Sequence, residues 1–175
     1  MYKITYLKLF AIMALAAWFH LTVLDHLRVL GCRGDLMLSL VIFFGLFGGA
    51  KQGFVAGLFA GLVNDIYSSG GFGYYTVALS LTGFLMGKIA PRFYREARFA
   101  QFFLTAVSYI LLASLYYAFI FITGGFSVPE TDWLFSYSDF FVKSVIPGSI
   151  YAGLISVVTF RLLMEWFEVR DRLML

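Results

Sequence analysis

The sequence predicts an all-α membrane protein: one integral domain over residues 1–175, built as a bundle of six transmembrane helices. Three observations predict it. Hydrophobic residues make up 61% of the chain and charged residues 13%, where soluble domains run at roughly 45–50% and about 25%. Mean hydropathy is +0.87. Lys and Arg fall at the ends of apolar runs and collect on alternate connections, as the positive-inside rule requires. Little chain remains for a soluble domain, and the single cysteine, Cys32, excludes an internal disulfide and a cysteine-rich metal site.

The first span covers residues 4–24, with Lys3 and Lys8 at its start and His20 in its last turns. Its apolar run is long and no small-x-small site follows it, so it reads as a retained span and not a cleaved signal. A charge-balanced loop holds Asp25, His26, Arg28, Arg33 and Asp35. Spans two (36–50) and three (53–66) are short, each covering about 22 Å against a ~30 Å hydrocarbon core. Short, glycine-rich spans should be buried among neighbours or thin the bilayer locally. The turn Ser68–Gly73 carries no basic residue, and span four (74–89) ends at Lys88, ahead of Arg92, Arg95 and Arg98. Span five (99–122) is the longest, and span six (145–163) holds Pro147 and Gly148 in its first turn.

Counting cations orients the spans. One side gathers Lys3, Lys8, Lys51, Lys88, Arg92, Arg95, Arg98, Arg161, Arg170 and Arg172, and the other only Arg28, Arg33 and Lys143. The first side is therefore cytoplasmic, with both termini inside. A rival with one long helix over 36–66 gives five spans. It would put Lys51 at mid-membrane, at about 2.5–3.5 kcal/mol on insertion scales, and is the poorer reading.

The bundle is organised around a ladder of glycines four residues apart: Gly45, Gly49, Gly53, Gly57 and Gly61, closed by Asp65. In lipid such a face lets another backbone approach closely. That neighbour is either a helix of this chain or a docked partner. Four residues advance about 400°, so the face drifts ~40° per rung. Gly45 and Gly49 are therefore expected to meet a different neighbour from Gly57 and Gly61.

Asn64 and Asp65 are the most informative polar pair. Asp65 opposes its own helix dipole and needs a partner, either Arg28, Arg33 or loop amides. A cap holding the outer ends of the first three spans together is one role, and lining an outward-facing pocket is the other. Lys88, Arg92, Arg95 and Arg98 form a cytoplasmic basic cluster suited to anionic lipid. In the outer loop Trp133, Tyr137 and Phe140 recur at helical spacing, which fits an interfacial helix with an aromatic underside. The tail beyond Arg161 is amphipathic, with Arg161–Glu165 and Glu168–Arg172 as i,i+4 pairs. No catalytic motif or phosphate loop is present, and no cofactor, metal or nucleic acid is expected.

Over residues 45–90 the chain resembles the rod-shape-determining protein MreD family. The resemblance rests on Gly53, Gly57, Gly61 and Asp65 at four-residue spacing, the glycine turn Gly70, Gly71, Gly73, and then Gly83 and Gly87. Length, six-span hydropathy and the basic loop after span four agree. The resemblance implies a non-enzymatic scaffold of the bacterial elongasome in the inner membrane, supporting rod shape and peptidoglycan synthesis. It implies the single-span protein MreC as partner, with links to the cell-wall synthase pair and the actin-like filament. It also implies a fold similar to the substrate-binding subunits of energy-coupling-factor vitamin transporters. That similarity supplies the alternative function, a transporter subunit. Against it, Ala11, Ala14, Ala16 and Ala17 never give the Ala-x-x-x-Ala docking spacing of such subunits. Self-association is left open.

The topology places Cys32 outside. A membrane-impermeant maleimide is expected to label it in intact spheroplasts, with a denatured control to expose a buried thiol. Labelling only after permeabilisation would overturn the orientation.

Overall fold

The computed structural model describes residues 6–20, 22, 35–67, 73–89, 98–122 and 139–166. Among these residues there is no strand. The α-helices are α1 (Tyr6–Phe19), α2 (Leu36–Phe43), α3 (Ala50–Tyr67), α4 (Tyr74–Ile89), α5 (Arg98–Ile122) and α6 (Ile146–Trp166). Two π-helical turns adjoin them: Phe44–Gly48 continues α2, and Phe141–Val145 leads into α6.

The outside of the bundle is apolar, and α5 and α6 turn polar residues inward. On α5, Phe99, Phe103, Val107, Leu111 and Leu115 are exposed at every fourth residue, while Gln101, Thr105 and Ser108 are buried. Val142 of the preceding turn and Ile146, Ile150, Leu154, Val158 and Leu162 of α6 form the matching outer stripe, and Ser149 and Ser156 face in. The buried hydroxyls donate to carbonyls of their own helix, Thr105 to Gln101 O at 2.9 Å and Ser156 to Gly153 O at 2.7 Å. They therefore need no water. Phe102 and Tyr109 of α5 lie on Gly153 and Gly148 of α6. Exposed apolar stripes of this height belong in hydrocarbon. The segments Phe99–Phe119 and Phe141–Glu165 are long and apolar enough to cross a membrane.

α2 occupies the centre. Every residue from Met37 to Gly49 is buried. Phe43 packs on Phe44, Phe47 and Phe160 with ring centroids 4.8–5.6 Å apart. The Asp35 carboxylate caps the helix, accepting from Leu38 N at 2.9 Å. A helix too short for the bilayer is thus enclosed by protein, the first of the two outcomes open to short spans.

The chain reverses at Gly49, whose φ of 89° lies in the region glycine favours. A Cβ built on Gly53 would come within 2.7 Å of Gly45 Cα, although one continuous helix would hold these residues about 12 Å apart. Lys51 accordingly lies in the first turn of α3, and the break falls two residues earlier, at Gly49.

α3 and α4 make the closest helix pair, backbone against backbone. Added Cβ atoms would lie 2.6 Å from Leu79 C at Gly57 and 2.6 Å from Thr76 N at Gly61, and Gly53 is as tight against Gly83. The expected division of the ladder is wrong. Gly45 meets Gly83 and Met86, and Gly49 lies against Gly87, so all five glycines face α4. The drift of the face applies to one straight helix. Here the reversal folds the α2 end and the α3 start around the same stretch of α4, and Gly83 and Gly87 complete the contact.

Gly57→Ala and Gly61→Ala are expected to destabilise the fold by about 1–3 kcal/mol each, and leucine by more, because only backbone is available to yield. Thermal unfolding in mild detergent checks this. Gly57→Ala at wild-type stability would contradict the packing described.

Candidate functional site where α3 meets α4

The polar site predicted at Asp65 forms where α3 ends and α4 begins. α4 starts behind Gly73, whose φ is 102° and which has no side chain to cap the helix. Its first-turn amides need acceptors. Asp65, 3% exposed, provides them from the neighbouring helix. Its Oδ1 accepts from Tyr75 N at 2.9 Å, and its Oδ2 accepts from Thr76 N at 3.0 Å and Thr76 Oγ1 at 2.5 Å. A carboxylate that opposes the dipole of α3 thus sits at the positive end of α4. Gly61 lies against Thr76 one turn below, and its missing side chain lets the two helix ends close to this distance.

Aromatic residues surround the cap. Tyr74 donates its hydroxyl to Leu112 O at 2.7 Å, tying α4 to the middle of α5. Its ring packs on Tyr116 and Phe119 at 5.3 Å, and Tyr75 packs on Tyr116 at 5.6 Å. Tyr117 stacks on Phe140 at 5.4 Å, which joins α5 to the approach to α6. Amphipathic rings of this kind belong at the level of a membrane interface.

The other predicted residues divide by position. Asn64 is half-buried beside the cap. Lys88 lies at the opposite end of α4, exposed, with its ammonium 4.7 Å from the centre of the Phe84 ring. Arg98 begins α5. Arg28, Arg33, Arg92, Arg95, Trp133 and Tyr137 lie outside the described residues. The cap therefore joins α3 to α4, where the sequence suggested a clasp on the first three spans. Sequence reasoning missed Thr76 and Tyr74. The signal for Thr76 was present, a hydroxyl at the third position of a helix whose preceding residue cannot cap. Among the described residues, no three His, Cys, Asp or Glu side chains gather as metal ligands.

The helical fold, its exposed apolar stripes and its two membrane-length helices define an α-helical membrane protein whose best-built polar site is a structural clasp. The chain matches the family model for the rod shape-determining protein MreD over residues 1–168, and it belongs to that family. Searches of curated proteins and of solved structures give no match.

Asp65→Ala leaves three partly buried donors without their acceptor, and it is expected to cost about 2–3 kcal/mol. Asp65→Asn keeps one acceptor and should fall between the two. Thermal unfolding of both variants measures this, and an unchanged midpoint for Asp65→Ala would remove the clasp from the account.

Proposed function

We propose that this protein is a non-enzymatic scaffold of the cell-elongation machinery in the bacterial inner membrane, holding an MreC-like single-span protein. The family match across residues 1–168 carries the reading, since that family determines rod shape. The proposal includes six spans, both termini in the cytoplasm, and a bundle related in architecture to vitamin-transporter subunits. Cation placement supports the orientation: Lys51, Lys88 and Arg161 share one end of the bundle, while the Asp65 clasp marks the other. This end suits anionic lipid and proteins beneath the membrane, among them the actin-like filament; the cell-wall synthase pair would join through the assembled complex.

The glycine ladder faces α4, so the partner is assigned elsewhere. The outer aromatic ledge is the better candidate, with Phe140 held against Tyr117 and Trp133 and Tyr137 nearby in sequence. Affinity purification in mild detergent tests the reading. The intact chain is expected to carry MreC with it, and Phe140→Ala combined with Trp133→Ala to lower recovery of MreC about tenfold while the fold persists. Gly57→Leu should lose partner and folded protein together. Recovery of MreC unaffected by the aromatic pair would move the interface. Recovery of a solute-transport ATPase in place of MreC would sink the scaffold reading.

A further inference from the structure

We propose that the α3–α4 side of this protein takes a thinner bilayer than its α5–α6 side, so that the molecule thins the membrane along one flank. The partner is the lipid itself, selected by acyl-chain length.

The two flanks differ in how much apolar height they offer. α4 runs apolar from Tyr74 to Gly87, about 21 Å, between the Gly73 turn and exposed Lys88. The exposed apolar residues of α3 lie between Phe54 and Tyr67, a rise of about 20 Å. The two helices end level with each other. At one end Asp65 clasps the first turn of α4, and at the other Gly87 lies against Ala50, beside Lys51 and Lys88. Neither helix can therefore slide along the other to gain height. On the opposite flank, α5 is apolar over the 21 residues Phe99–Phe119, about 32 Å. Along the approach to α6 and α6 itself, the apolar stripe between Lys143 and Arg161 spans about 27 Å.

The flanking charges sharpen the contrast. In the turn before α6, Lys143 is drawn to Asp139 at 2.6 Å, and on α6 Arg161 is drawn to Glu165 at 3.2 Å, both away from the middle of the flank. On α4, Lys88 folds back over Phe84, one turn nearer the middle. Charged groups thus bracket the tall belt at both ends, while Lys51 and Lys88 close one end of the short belt and the Gly73 turn closes the other. Tilting absorbs an excess of helix length, and it can only worsen a deficit. The α5–α6 flank can fit a range of thicknesses, whereas the α3–α4 flank requires the lipid to come to it. α2, shorter still, is enclosed by protein and escapes this demand.

Tryptophan quenching by brominated lipids reads this directly. In the full chain, with Trp18, Trp133 and Trp166 replaced by Phe, single reporters are placed at exposed sites on the two flanks, Leu81→Trp on α4 and Leu111→Trp on α5. Each is reconstituted in phosphatidylcholine vesicles in which brominated lipids of ~14, ~18 or ~22 carbons per chain compete with unlabelled lipid. At position 81 the shortest chains are expected to be preferred over the longest by about twofold or more, and at position 111 that preference should vanish or reverse. The same order at both positions would overturn the proposal. So would absence of quenching at 81, which would mean that protein covers that flank. Val77→Trp and Val107→Trp repeat the comparison should either first reporter fail to give monodisperse protein.

Discussion

The structure depends on two backbones being allowed to touch. In lipid, burying apolar side chains between helices gains little, because the surrounding chains are just as apolar. What remains is van der Waals contact, which rewards close approach. The glycines of α3 and Gly83 of α4 remove the side chains that would hold the helices apart. Gly45 and Gly49 extend the same contact around the reversal, so one stretch of α4 is gripped from two elements. Glycine costs helix propensity in water, but here the surrounding medium offers the freed backbone no other partner.

Close approach creates the opening for Asp65. Two helices whose backbones touch at Gly61 and Thr76 bring the end of one within reach of the start of the next. The amides of α4 gain acceptors, and the carboxylate gains donors at the positive end of a helix. Neither group would be cheap to leave alone in a dry interface. The glycines and the aspartate are therefore one device: the contact sets the distance, and the clasp fixes the register. The aromatic layer of Tyr74, Tyr116 and Phe119 then couples this rigid pair to α5.

The helical class and the importance of Asp65 were legible because composition, charge placement and four-residue spacing are properties of the chain itself. The glycines were legible as a surface, although what they touch was not. Periodicity reports a face only while the helix continues, and Gly49 ends it. The sequence shows a charged Lys51 near the break, but charge marks a boundary less sharply than backbone geometry, and the reversal falls two residues earlier. The buried polar seam of α5 and α6 was also hidden. Ser, Thr and Gln scattered in apolar runs look alike until the exposed positions at 103, 107 and 111 show which side faces lipid.

These features bear on what the scaffold role proposed above requires. A protein that assembles others must present surfaces at fixed separations, and a membrane helix pair held only by apolar side chains is free to slide and rotate. Here sliding is opposed at both ends of the α3–α4 pair, by Asp65 at one and by the Gly49–Gly87 contact at the other. The longer α5–α6 pair is joined through aromatic rings seated on Gly148 and Gly153. The fold thus combines a short flank pinned at both ends with a taller one. On the thinning proposed above, the short flank would set the local thickness of the bilayer and the taller flank would tilt to meet it.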